Sequence, residues 1–337
     1  MLVRIFGGLI ALLALLGGVG AVWQASRVAA ELERFPPPGE RFEIDGLALH
    51  LDCRGEGAPT VVLEAGLGSG SDSWFLVHDA MAAQTRVCAW DRPGMAWSAP
   101  SFVPITSDAN ADRLHALLAS AGVDGPVVLL GMSAGGVFVR EYYARHPEHV
   151  VGMVLIDSSH EQQGARMPEF PDGGFNTVLQ ACAWLQPLGL PRLLGAAEVV
   201  IDSYGVEIEG EAREFAIANL NRSHTCASLL AESEGFDGEV VDAEPPRSLG
   251  DLPLIVVSQG RALEIDEEAG MTEELVGAFA EVWTELQLEL TALSSRGERR
   301  IAEDSGHVIQ LDQPKAVIDA VRDMVTLVRE EAIAPDP

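Results

Sequence analysis

The sequence predicts an α/β protein in which a mostly parallel sheet carries helices on both faces. Three observations lead there. Short apolar, β-branched runs alternate with longer segments of helical apolar spacing over most of the chain. The 337 residues are 47% hydrophobic and 22% charged, which is enough to bury one large core. Finally, the strand-like run from Pro126 to Leu130 feeds Gly131-Met132-Ser133-Ala134-Gly135-Gly136, after which Val137, Val139, Tyr142 and Tyr143 recur at helical spacing. A serine therefore sits at a strand-to-helix corner, with glycines two residues to either side removing the side chains that a strained turn would bring into collision.

The chain opens with a stretch from Ile5 to Trp23 that holds no charged residue. That is about the length needed to cross a bilayer, roughly 20 residues. Val19-Gly20-Ala21 would suit a signal cleavage site, but the apolar run exceeds a signal core, which favours an anchor; Arg4 before it and Arg27 and Arg34 after it do not set its orientation, and the following domain is expected on the outer face. Glu31, Glu33 and Arg34 mark a polar stretch, and Pro36-Pro37-Pro38-Gly39 reads as an extended stalk. Residues 1–40 are thus expected to form anchor and stalk.

Period-two alternation in Arg41–Ile44 and Leu47–Cys53 around Asp45-Gly46 predicts a β-hairpin. Thr60–Glu64 is a short buried strand running into the glycine-rich Ala65-Gly66-Leu67-Gly68-Ser69-Gly70, and Thr85–Trp90 is another, broken by Asp91-Arg92-Pro93-Gly94. A helix follows from Ser107, capped by Ser107 or Asp108, to the Gly122 stop. Beyond the serine, Val150–Ile156 is an apolar strand ending at Asp157. The regular pattern then lapses over residues 159–250, where Met167, Trp184, Leu188 and Leu193 punctuate irregular helical pieces. This segment reads as an insertion lying over the active edge of a domain made from residues 41–158 and 251–330. Alternation resumes with a strand at Leu252–Val257, an amphipathic helix at Thr272–Leu293, a short strand at Arg300–Glu303 and a last helix from Pro314 to about Arg329. The tail from Glu330 is expected to fray.

The formal net charge is -29 and Lys315 is the only lysine. Such a surface repels phosphate backbones and excludes nucleic acid as a partner. The four cysteines are compatible with disulfides or with buried thiols.

A serine hydroxyl is a weak nucleophile and needs a base in hydrogen-bond reach, with a third group to hold that base. Among eight histidines, His307 follows a glycine between the terminal strand and helix, where a side chain reaches across the strand ends. His115, His146, His149, His50 and His78 fall on helices or the opening strand and read as structural, while His160 and His224 lie beside or within the insertion. Two positions compete for the acid: Asp157 at the end of the strand after the serine, which is preferred, and Asp266 with Glu264 after the following strand. The oxyanion of an attacked carbonyl needs two N–H donors, assigned to Ala134 at a helix N-terminus and to Leu67 in the glycine-rich loop.

Taken together, the elbow GMSAGG, the loop LEAGLGSG, the segment RVCAWDRPGMAWS and the terminal DSGHVIQLDQP resemble the α/β-hydrolase superfamily, and in particular its bacterial membrane-anchored or exported serine hydrolases. The resemblance covers Arg41 to Arg329 apart from the insertion. Ala65 and Met132 stand where many relatives carry histidine, which bears on subfamily rather than mechanism. The resemblance implies an eight-stranded sheet with a helical cap, and places Cys53 and Cys88 on neighbouring strands where a bridge is feasible. It implies a Ser133–His307–acid triad acting on a small-molecule carboxylic ester with an apolar part, without metal or organic cofactor. The same triad also serves amides, lactones, carbon-carbon bonds and cofactor-free lyase or perhydrolase chemistry in this superfamily, and a silent binding scaffold is the alternative outside enzymes.

Overall fold

The computed structural model describes residues 2–169, 175–203, 208–240, 244–267 and 270–333. Helix α1 (Leu2–Arg34) precedes strands β1 (Glu40–Ile44), β2 (Leu47–Arg54) and β3 (Thr60–Glu64). Helix α2 (His78–Ala82) leads to β4 (Val87–Trp90), α3 (Ser107–Ser120) to β5 (Val127–Met132), and α4 (Ala134–Arg145) to β6 (Val150–Ile156). Between β6 and the next strand the regular elements among the described residues are helices: α5 (Gln163–Arg166), α6 (Phe175–Leu185), α7 (Leu190–Leu193), α8 (Ala196–Ser203), α9 (Gly210–Leu220) and α10 (Thr225–Val240). The sheet resumes with β7 (Leu254–Gln259), α11 (Glu273–Thr291), β8 (Gly297–Ala302), α12 (Ile309–Asp312) and α13 (Pro314–Ile333).

The eight strands form one sheet in the order β1-β2-β4-β3-β5-β6-β7-β8. β1 with β2 and β2 with β4 are antiparallel, and every other pairing is parallel. Central strands are apolar throughout because both faces are covered. In β5, Val127 and Leu129 join the core beneath α3, α4 and α11, whereas Val128 and Leu130 join the core beneath α2 and α13. The expected hairpin is present, with Asp45 and Gly46 both at positive φ (53° and 77°), as a two-residue turn matching the strand twist requires.

Element boundaries differ from the sequence reading by a few residues. The N-cap of α3 is Thr106, one residue before the expected Ser107 or Asp108, because Thr106 is the last extended residue. α13 reaches Ile333, past the expected fraying point, and residues 334–337 lie outside the described residues.

The expected stalk needs a larger correction. α1 continues unbroken through the polar stretch to Arg34 and packs on the helical insertion, Phe35 is buried, and a Cβ on Gly39 would meet the Leu51 carbonyl at 2.1 Å. Pro36–Gly39 thus runs between two packed ends, Phe35 and Gly39, with Pro36 and Pro38 exposed between them. All four cysteines are bonded. Cys53–Cys88 joins directly paired positions of β2 and β4, and Cys182–Cys226 ties α6 to α10 within the insertion.

Candidate active site

Ser133 turns the corner between β5 and α4 with φ 52° and ψ -124°. Residues with side chains seldom adopt this backbone, and its surroundings hold it there. The Ser133 N–H donates to the Ile156 carbonyl (3.1 Å), and its own carbonyl accepts from Gly136 and Ser159 (2.9 Å each). A Cβ on Gly131 would meet the Gly135 carbonyl oxygen at 2.5 Å, and one on Gly135 would meet the Glu64 oxygen at 2.4 Å. Both glycines permit backbone to pass against backbone, which is what leaves the hydroxyl at the sheet's C-terminal edge.

His307, between β8 and α12, presents Nε2 at 3.0 Å from Ser133 Oγ and Nδ1 at 2.6 Å from Asp157 Oδ2. With the proton on Nδ1, the ring donates to the carboxylate and accepts from the hydroxyl. Asp157 is fully buried at the end of β6 with φ 38°. Its Oδ1 accepts the Gln259 N–H (2.9 Å) and the Trp283 indole N–H (3.0 Å), so the carboxylate is held from three sides. The same indole stands edge-on to the His307 ring, with centroids 5.9 Å apart. Asp266 and Glu264 are exposed on the loop after β7, where Asp266 bridges to Met271. Trp283 lies within the stretch that the sequence reads only as an amphipathic helix, Thr272–Leu293.

The glycine-rich loop after β3 crosses directly over the serine: a Cβ on Gly66 would lie 2.9 Å from Met132 Sδ and 3.3 Å from Ser133 Cβ. The Leu67 side chain packs into the cluster of Ala134, Val137 and Phe138 on α4. Ala134 opens α4, where an N–H has no acceptor within the helix.

What fixes this loop escaped sequence reading altogether. Arg92, read only as part of a strand break, is buried beneath it and donates to the carbonyls of Ala65 (2.8 Å) and Gly66 (2.7 Å) and to Glu64 Oε1 (2.6 Å). From α10, Glu232 accepts from Arg92 Nε and from the Gly68 N–H, each at 2.6 Å. Burial works against the Arg92 charge, but the two carboxylates more than offset it and hold the guanidinium protonated. Burial raises the Glu64 carboxyl to about 7 in spite of the Arg92 charge. No local pattern announces a buried Arg between two glutamates 168 residues apart in sequence; the only signal was charged residues in segments otherwise apolar.

A cavity of about 390 Å³ opens over Ser133 and His307. The insertion supplies an apolar wall of Ile201, Ile208, Phe215, Ala216 and Leu220, while Asp72 and Asn219 form a polar patch. Asp72 accepts from Asn219 Nδ2 (3.1 Å), and its carboxyl is raised to about 6 by burial and by the nearby Asp91 charge. The other histidines lie elsewhere. His50 is buried against Asp91 (2.7 Å), His78 meets the Val87 carbonyl, and His115, His146 and His149 cluster around Tyr142. His160 is buried facing Glu289, and His224 sits at the start of α10. Among the described residues no group of His, Cys, Asp and Glu has the arrangement of a metal site.

A doubly covered parallel sheet with a serine on a strained strand-to-helix turn, and a histidine arriving from the last strand, defines an α/β-type hydrolase. A model of the alpha/beta hydrolase family matches residues 61–320, and the chain belongs to that family. It is 26% identical over 286 residues to an AB hydrolase superfamily protein of Gibberella zeae, covering 80% of this chain and 87% of that one. Among solved structures it resembles a thermophilic esterase from Thermogutta terrifontis (TM-score 0.59, 19% identity, 86% of this chain and 99% of that one). It also resembles a membrane phospholipase A described as a bacterial virulence factor (TM-score 0.61, 21% identity, 97% of this chain and 99% of that one). At these identities the two structures speak for the fold alone.

Proposed function

We propose that this hydrolase cleaves a carboxylic ester with an apolar part through an acyl-enzyme formed on Ser133. The observation that carries the reading is the unbroken chain from Ser133 Oγ to His307 Nε2 (3.0 Å) and from His307 Nδ1 to Asp157 Oδ2 (2.6 Å). His307 takes the hydroxyl proton as Oγ attacks the carbonyl carbon and returns it to the leaving alcohol; a water molecule then repeats the sequence on the acyl-enzyme. Asp157 keeps the ring in the required tautomer and balances its positive charge. The Leu67 and Ala134 N–H groups receive the oxyanion, aided by the N-terminus of α4. The apolar wall from the insertion favours an aliphatic or aromatic part on the substrate.

In this reading residues 41–158 and 251–330 form the catalytic domain, residues 159–250 are its cap, and residues 1–40 tether it to a membrane. The apolar part of α1 contains no buried residue, as a segment covered by lipid would not. Two disulfides favour an oxidising compartment and so the outer face.

The test is turnover of p-nitrophenyl esters of increasing chain length by the wild type and Ser133→Ala, with fluorophosphonate labelling alongside. The expected result is labelling confined to Ser133 and loss of turnover in the variant with unchanged thermal unfolding. Turnover retained by Ser133→Ala would overturn the mechanism, and a wild type that neither turns over nor labels would favour a silent scaffold.

A further inference from the structure

From Trp184 to Val200 the insertion exposes a run of large apolar side chains. Trp184 is 82% exposed, Leu193 71%, Leu194 73% and Val199 68%, with Leu188, Leu190 and Val200 partly exposed between them. The stretch contains two charged residues, neither of them fully exposed. Arg192 turns inward to Glu31 and Gln24 of α1, and Glu198 buries Oε2. Isolated exposed apolar residues are ordinary in soluble proteins, whereas a contiguous set marks a surface that something covers.

The position of this surface identifies what covers it. Gly20 lies so close to the insertion that a Cβ there would be 2.5 Å from the Leu188 carbonyl oxygen, and the Trp23 ring lies against Gly189. Gln24, fully buried, donates to the Asn221 carbonyl (2.6 Å) and accepts from Arg192 Nε (2.8 Å). The insertion is thus clamped to the last turn of the apolar run. At about 1.5 Å per residue, the helix from Arg4 to Trp23 rises roughly 30 Å, the thickness of a hydrocarbon layer. If α1 spans a bilayer, its contact with the insertion lies at the level where the hydrocarbon ends.

We propose that residues 184–200 form a second, monotopic contact seated in the interfacial layer of the same membrane that α1 crosses. The proposal rests on the membrane reading of α1. The partner is the surface of a zwitterionic bilayer, since the patch presents apolar side chains and the chain's net charge of -29 disfavours an anionic surface. An exposed Trp184 suits the interfacial region, where aromatic rings collect. On α8, Val199 and Val200 face outward while the next residue, Ile201, lines the cavity over Ser133. Membrane contact and cavity wall are therefore adjacent on one helix, so the ester entering the cavity is an amphiphile taken from the bilayer.

The experiment uses the full-length chain in phosphatidylcholine nanodiscs carrying doxyl-labelled lipid. The native cysteines are all disulfide-bonded, so a single introduced cysteine takes an environment-sensitive fluorophore. Leu193→Cys and Val199→Cys probe the patch, Leu12→Cys the apolar run, and Ser120→Cys, exposed at the end of α3 toward the opposite edge of the sheet, serves as reference. The expected result is quenching at 193 and 199 at least threefold that at 120. Quenching at 12 but not at 193 or 199 would overturn the patch contact and leave the span. No quenching at 12 would remove the span reading and this proposal with it. Self-quenching at 193 that grows with protein loading, without lipid quenching, would assign the patch to a second copy of the chain. As an independent measure, Leu193→Glu with Leu194→Glu should lower turnover of a vesicle-borne ester about tenfold while sparing a short water-soluble ester; unchanged turnover on vesicles would overturn the proposal.

Discussion

Glu232 and Arg92 are joined at 2.6 Å through Oε1 and Nε, both side chains essentially inaccessible to water, one carried by the helical insertion and the other by the loop after β4. Because Glu232 also accepts the Gly68 N–H, a side chain from the insertion grips the loop one residue beyond Leu67. Removing Glu232 leaves Arg92 with Glu64 as its one remaining carboxylate partner, and breaking such a buried pair costs up to about 3–5 kcal/mol. Glu232→Ala is expected to lose that much stability in chemical denaturation and to lower kcat more than it raises KM, since the loop donor is displaced from the oxyanion. Glu232→Gln keeps one acceptor oxygen but turns an NH2 toward either Arg92 or the Gly68 N–H, so it should recover kcat only in part.

The acid assignment is tested by two asparagines. Asp157→Asn removes the charge that orients His307 and should lower kcat by about 10³–10⁴. Asp266→Asn, altering an exposed carboxylate at a bridge with Met271, should leave kcat within about twofold of wild type. A larger loss from Asp266→Asn would reverse the assignment. Trp283→Phe removes one of the two donors on Asp157 Oδ1, a hydrogen bond to charge worth about 1.5–3 kcal/mol, and is expected to fall between these extremes.

How much of this was readable followed from how local each cause is. The elbow, His307 and the alternation of β5 are written within a few consecutive residues, because strand, turn and helix each impose a short period or a fixed glycine. Asp157 was only preferred over Asp266, since local pattern cannot say which strand end meets a histidine 150 residues later. The grip of Glu232 on Arg92, the indole on Asp157 and the bond of Gln24 to the Asn221 carbonyl are long-range pairings of single side chains. They leave no periodic trace. The polar half of α1 misled for the same reason: charge and a proline run suggested a solvated stalk, whereas Glu31 is used by Arg192.

Two glycines separate backbone crowding from general glycine effects. A Cβ on Gly135 would press into the carbonyls of Glu64 and Ala65 at 2.4 and 2.6 Å, neither of which is free to swing aside. Gly135→Ala should therefore lose about 1–3 kcal/mol and most of its activity. Gly125 has open space around it, so Gly125→Ala should be neutral or slightly stabilising, by up to about 1 kcal/mol. Thermal unfolding of the two variants side by side reads the difference, and equal losses would show that crowding at the elbow is not the cause.

His224 gives the insertion a definite acid sensitivity. Burial, with the Arg222 charge adding to it, lowers its imidazole to about 4 from an ordinary value near 6.5. The unfolded chain therefore binds this proton more readily than the folded one between those values. The stability associated with neutral His224 is complete above about pH 6.5 and is lost as pH falls toward 4, with a ceiling of about 3 kcal/mol. Glu64 and Asp72 act in the opposite sense: their carboxyls are raised in the fold, so their contributions strengthen it as pH falls through about 7 and 6. The wild-type profile mixes these effects, but the difference between wild type and His224→Gln isolates the histidine. Denaturation midpoints measured from pH 7.5 to 4.5 should converge on the variant's favour as acid is added, the wild type losing ground by an increment that grows below pH 6.5. A constant difference across that range would mean that His224 takes up its proton equally in the folded and the unfolded chain, and the burial argument would fail.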